Sequence, residues 1–203
     1  MEQTKQYEYV DLGLPSGLKW AKYNIGAEKE TDYGDYFMWG STTPNTNTTC
    51  DWEHSPFNNG SSDYDEEYFT THKSEWLDDN GNLKPEFDAA RAIMGGDWRM
   101  PTKAEIQELL DYTSNKWTGV NGVYGRKFTG SNGNSIFIPA ADFRSGSSFY
   151  GREDYNGDIW SSSLFTSRPK NAWYLNFFSD DFYVDYADRN YGLMVRGVYE
   201  KLL

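Results

Sequence analysis

Apolar positions in this chain recur mostly every second residue over short runs, and two stretches switch to helical spacing. The opening "YEYVDLGLPSGLKWAKYNIGA" reads as short half-buried strands broken by Gly and Pro, and "YFMWG" (Tyr36 to Gly40) as another. From about 42 to 84 the pattern fails: the chain is polar with scattered rings, which predicts an elaborated surface loop. In "KPEFDAARAIMGG", Pro85 suits a first helical turn, Gly95 a stop, and Phe87, Ala90, Ile93 and Met94 share a face. In "RMPTKAEIQELLDY", Thr102 and Glu105 have capping-box spacing, followed by the stripe Ile106, Leu109 and Leu110.

Downstream the period returns to two. "GVYGRKFTG" and "NSIFIPAADF" flank "SNGN" (Ser131 to Asn134), and an Asn-Gly pair between such runs predicts a hairpin. "DIWSSSLF", "AWYLNFF", "FYVDYA" and "YGLMVRGVYE" complete the strand-like runs. Strands, two helices, then many strands predict an α+β fold with antiparallel sheets, two helices and extensive loops. Length allows one core, so residues 1–203 are expected to form a single domain.

Composition sharpens this. Hydrophobic residues make up 37% and aromatic ones 18%, so rings must supply much of the burial. A net charge of −12 with no basic run argues against nucleic acid as a partner. One cysteine, Cys50, excludes an intrachain disulfide. No apolar run is long enough to insert in a membrane, and "MEQTKQYEYV" lacks the apolar core of a signal peptide. The pattern specifies no oligomeric state.

"VDLGLPSGLKWA", "YFMWGSTTP", "GGDWRMPTKAEIQELL", "NGNSIFIPAADFR", "IWSSS" and "YGLMVRGV" together resemble the Bacteroides-type Fibrobacter succinogenes major paralogous domain. That domain is similar to formylglycine-generating enzymes, and the resemblance implies a C-type-lectin-like fold. With this tail the chain also resembles variable proteins of diversity-generating retroelements. What that implies is a fixed scaffold with a mutable ligand-binding surface, displayed on a bacterial cell surface or a phage tail.

The tail fits such a surface. Leu175, Phe177, Val184 and Val195 read as core, whereas Tyr174, Asn176 and Phe178 share the opposite strand face. Asp181, Tyr183, Asp185, Tyr186, Asp188, Asn190 and Tyr191 continue the mixture of rings, amides and acids. Tyr150, Tyr155, Asn156 and Asp158 add the same chemistry, giving a ligand-binding region at about 142–191. Tyr with Asn, Asp and Ser is the vocabulary of binding loops, because a stiff amphipathic ring gives contact area for little lost entropy. Given the resemblance, none of these positions holds Lys, Glu, Gln, Trp or Met, which an Asn codon randomised at its adenines cannot encode. Trp160 and Trp173 read as structural, as do Arg189 and Arg196, for which acids are the expected partners.

Catalytic chemistry finds little support. The copper site implied by formylglycine-generating enzymes needs two thiols, and related iron sites need clustered histidines; only Cys50, His54 and His72 are present. A Cys50–His54 nucleophilic pair lacks an activating group. "DDNGNL" (Asp78 to Leu83) and "DYNGD" (Asp154 to Asp158) place oxygens at alternating positions, so calcium is the one cation to consider. Neither completes an EF-hand, and ordinary turns account for both. The expectation is a non-enzymatic, cofactor-free binding protein whose broad rather than pocketed patch takes a protein or glycan ligand. An invariant surface adhesin or pilus-type component is the alternative.

Overall fold

The computed structural model describes residues 6–141, 143–150 and 155–200. The first half of the chain contains β1 (Tyr9–Asp11), β2 (Lys19–Ala21), β3 (Tyr36–Phe37), α1 (Glu66–Trp76), α2 (Ala89–Met94), β4 (Trp98–Arg99) and α3 (Lys103–Tyr112). Then follow β5 (Thr113–Val120), β6 (Val123–Gly130), β7 (Ser135–Pro139), β8 (Phe143–Ser145) and β9 (Ser148–Tyr150). The chain closes with β10 (Asn156–Leu164), β11 (Asn171–Phe178), β12 (Phe182–Asp188), β13 (Leu193–Met194) and β14 (Val198–Tyr199). The architecture is α+β and its pairings are antiparallel apart from β10 with β13. No described helix is long and apolar enough to cross a membrane.

A five-stranded sheet, β12-β11-β10-β13-β3, carries the tail. Its inner face presents Ile159, Leu175, Phe177 and Met194 to Ile106 and Leu109 of α3 and to Phe128, Ile136 and Ile138 of the β5-β6-β7 sheet. Its outer face presents Trp160, Ala172 and Leu193 to a second core with Trp39, Phe57, Phe69 and Trp76. One end of the outer face is therefore covered by the polar segment, which folds as an integral layer. Gly157 lies opposite Phe177; a Cβ there would fall 2.1 Å from the Phe177 ring, so glycine lets that ring cross the strand.

The capping box at Thr102 and Glu105 forms as expected, with Ile106 and Leu109 buried beneath it. Arg99 adds two hydrogen bonds to the Glu105 carboxylate, at 2.5 and 2.7 Å. Burial pushes the Glu105 carboxyl up, but this guanidinium outweighs it and holds the group below its ordinary range. Two helix expectations need correction. The run from Pro85 is a short 3-10 turn, Pro85–Phe87, and a separate helix, because the Asp88 carboxylate accepts from Arg91 N–H and caps α2 at its start. In the segment read as loop, Asp65 caps α1 and Phe69 and Trp76, seven residues apart, bury one stripe.

The Ser131–Asn134 hairpin turn is present. A second, unforeseen hairpin precedes it: β5 turns into β6 through Asn121 (φ 49°) and Gly122 (φ 88°), the left-handed pair a two-residue turn requires.

Arg189 and Arg196 are fully buried and structural, but their polar contacts are not acids. Arg196 donates to Asn24 Oδ1 (2.8 Å) and the Phe137 carbonyl (2.9 Å). Arg189 donates from Nε to the Pro169 carbonyl (2.8 Å), and its guanidinium lies 4.0 to 5.7 Å from the ring centroids of Phe69, Tyr64, Trp39 and Trp52. Burial lowers its pKa to about 10, which still leaves it protonated at neutral pH. Ring faces thus stand where a counter-ion would, and they tie the inserted layer to the end of β12.

Two outcomes follow for urea unfolding. Thr102→Ala loses about 1 kcal/mol, the usual worth of an N-cap; an unchanged midpoint would mean the box contributes nothing. Arg189→Ala loses about 3 kcal/mol by emptying the cage, whereas Arg189→Met fills it and loses about 1 kcal/mol. Equal losses in both would show that charge, not packing, holds the layer.

Candidate ligand-binding groove

Strand alternation builds the site. On β11, Tyr174, Asn176 and Phe178 point away from the inner core. Register places Trp160, Asp158 and Asn156 beside them on β10, and Asp185 and Tyr183 beside Tyr174 and Asn176 on β12. Where the inserted layer stops, this face hollows into an open groove of about 1000 Å³. The patch is concave, contrary to the expectation of a broad surface without a pocket.

Of the expected residues, Tyr155, Asn156, Asp158, Tyr174, Asn176, Phe178, Tyr186, Asp188 and Tyr191 line it. Its floor is polar and fixed. Asn176 Nδ2 donates to Asp158 Oδ1 (2.6 Å) and Asn156 Nδ2 to Asp158 Oδ2 (3.0 Å), and all three side chains are more than nine-tenths buried. Rings stand around it: Tyr155 packs edge-on against Phe178 (5.8 Å), Tyr174 against Trp160 (6.0 Å), and Tyr191 tilts over Phe143 (5.1 Å). Tyr183, half exposed, lies 6.3 Å from Phe178 at the β12 side. Tyr150, stacked on Phe143 at 5.9 Å, extends the ring cluster beyond the wall.

Several residues do other work than the sequence implied. Tyr186 lines the groove while packed on rings of its own: it pairs with Trp173 and stacks on Phe165 at 4.2 Å, whereas Tyr183, beside Asn176, stands next to the groove. Asn190 is buried beyond the groove, since the chain has turned inward to form β13. Asn156, Asp158 and Asn176 are floor rather than exposed surface. Asp181 and Asp185 each accept from the next residue's backbone N–H at 2.8 Å, which blunts strand β12 at the sheet edge.

Sequence reasoning missed Phe143, Arg168, Lys170, Asn171, Ala187 and Leu193, which also line the groove. Lys170 Nζ approaches Asp188 Oδ2 at 3.4 Å and Asn171 Nδ2 donates to Asp188 Oδ1 at 2.7 Å. "SRPKNAW" was the available signal, a basic spot in an acidic chain directly before β11. The tip between β11 and β12 is braced by Arg126, whose Nη2 donates to the carbonyls of Phe178 (2.6 Å) and Asp181 (3.1 Å).

The other candidates separate. Cys50 is buried, its thiol directed at the Asn45 carbonyl, and His54 pairs with Asp51 at 2.7 Å, so they form no nucleophilic pair. Asp78 Oδ1 accepts from the N–H groups of Asn80 and Asn82, closing its own turn. In the second acidic loop, Asp154 lies outside the described residues, as do 142 and 151–153.

With this geometry in place, comparison with protein families gives a match to the Lcl C-terminal domain over residues 15–198. The chain belongs to that family. Comparison with curated proteins and with solved structures gives no match. The Lcl C-terminal domain thus spans β2 through the start of β14 and includes both the inserted layer and the groove.

Burial, then the carboxylates of Asp158 and Asp185 and the neighbouring Tyr183, push the Tyr174 phenol far above its usual value near 10. The folded state therefore binds a proton that the unfolded chain releases. Stability is full below about pH 10 and falls as pH rises beyond it. Melting curves between pH 9 and 11 should show a shallower alkaline loss in Tyr174→Phe than in the parent; identical slopes would mean the phenol is not desolvated.

Proposed function

We propose that this Lcl C-terminal domain is a non-enzymatic ligand-binding domain, displayed on a bacterial cell surface or a phage tail, with the groove as its binding site. One observation carries the reading: the part of the outer strand face beyond the second core gathers rings, amides and acids on one concave surface. A scaffold whose other face is locked by Leu175, Phe177 and α3 can hold such side chains without their help. Preorganised rings on a rigid sheet lose little entropy when a ligand settles. The dispersal of Cys50, His54 and His72 supports a binding rather than a catalytic role.

Diversification by a retroelement is the finer form of this proposal. Tyr155, Tyr174, Phe178 and Tyr183 suit it, since each is a ring at or beside the groove that the inner core does not use. The invariant adhesin reading is favoured by the floor: Asn156, Asp158 and Asn176 depend on one another and cannot be varied singly without orphaning a partner. Sequencing the genomic neighbourhood separates the two. A near-copy of the 3′ coding stretch, differing at adenines beside a reverse transcriptase gene, supports diversification; its absence supports the invariant form.

For binding itself, a panel of purified proteins and glycans should yield a ligand whose affinity falls about tenfold or more in Tyr155→Ala with Tyr183→Ala. Both rings are well exposed, at 51% and 39%, so the melting temperature should stay close to the parent's. A ligand that binds the double variant as well as the parent would move the site elsewhere.

A further inference from the structure

We infer that the groove takes an uncharged oligosaccharide, held by the Asn156–Asp158–Asn176 floor and stacked on the surrounding rings. This rests on the groove being the ligand site and adds the chemistry of what fills it.

The floor supports this first. Each oxygen of the Asp158 carboxyl accepts from one amide, so both amides turn an NH₂ towards it. Both amide planes are thereby oriented before any ligand arrives. Each amide keeps its carbonyl oxygen and a second N–H beyond the bond to Asp158, a donor and acceptor side by side. A sugar hydroxyl donates and accepts at once, and neighbouring hydroxyls fall at the spacing such planar groups serve. The core of a protein–protein interface is, by contrast, its most apolar part. Here the deepest part is polar and the apolar rings stand above it.

Charge supports an uncharged ligand. Among the described residues, the lining holds two carboxylates, Asp158 and Asp188, and two basic groups, Arg168 and Lys170. The described lining is formally balanced in a chain of net charge −12, whose field repels polyanions. Among the described residues Lys170 is engaged by Asp188 and Arg168 is the one other basic group of the lining, so together they offer no cluster of cations to a sulfate or a carboxylated sugar. Rings complete the fit: the C–H faces of a pyranose are apolar and lie flat on an aromatic face, as Tyr155 and Phe178 at the rim allow.

Length sets the ligand's size. From Tyr174 to Phe178 the outer face of β11 lines the groove over four strand rises, about 13 Å. That exceeds one sugar ring and calls for a chain of two or more. No bound cation enters this scheme, since the amides and Asp158 address the hydroxyls directly.

The test is an array carrying uncharged, sialylated and sulfated oligosaccharides beside a protein panel, followed by calorimetry on the best probe. Uncharged oligosaccharides should bind, with little change between low and high salt or on adding EDTA. Affinity should fall about tenfold or more in Asn176→Ala and in Tyr155→Ala, and hold in Tyr112→Ala, an exposed ring at the end of α3. Tyr155 is exposed, so its variant keeps the test valid should Asn176→Ala fail to fold. Binding only to sulfated or sialylated probes, loss with EDTA, or a protein ligand lost in Tyr155→Ala each overturns the saccharide while leaving the groove as ligand site. Ligands indifferent to both groove variants overturn the site as well.

Discussion

Leu175 and Phe177 cannot leave the core, and strand geometry does the rest. With those two side chains held over α3 and the β5-β6-β7 sheet, Tyr174, Asn176 and Phe178 have no choice but the opposite face. Pairing then carries the same parity to β10 and β12 and assembles one surface from three strands. A slip of one residue would bury the amides and expose the core. Register in this sheet is therefore a condition of the site as much as of the fold.

The same face has two fates along its length. At one end Trp160, Ala172 and Leu193 are covered by Trp39 and the inserted layer, and indole hydrogen bonds from Trp39 to Ser161 and from Trp160 to Phe37 fix the two indoles. At the other end the inserted layer stops, rings stand around the buried Asn156, Asp158 and Asn176, and the groove opens above them. Ring faces around the Arg189 guanidinium join the halves, since Arg189 follows β12 directly and its cage comes mostly from the inserted segment. An acidic chain has carboxylates enough to pair with its buried arginines. Rings and carbonyls do it instead, leaving the carboxylates for edge, turn and groove.

Local chemistry was legible wherever it acts within a few residues. The capping box at Thr102, the Asn132-Gly133 turn and the alternation of β11 depend on neighbours in sequence, and each appears where the pattern puts it. Asn121-Gly122 and the Asp65 cap with Phe69 and Trp76 were equally local and could have been found. Position 186 shows what composition leaves out: Tyr186 lines the groove, as its chemistry suggests, yet it does so stacked on Phe165 and packed against Trp173. For the site, the sequence pointed to the region and the side-chain types, but it set buried floor beside exposed rim without distinction.

By itself, then, the sequence determined the class of fold, the clearest capped helix, the strand periods and the concentration of rings, amides and acids near the C-terminus. All of these follow from interactions between residues close along the chain. Only the tertiary structure decided that Asn156 and Asn176 meet on Asp158, that Lys170 and Asn171 meet Asp188, and that the polar segment roofs half of one face. Apart from Asn156 with Asp158, those contacts join residues on different strands or layers, and which of them form depends on how layers stack and strands align, a choice that no local pattern encodes.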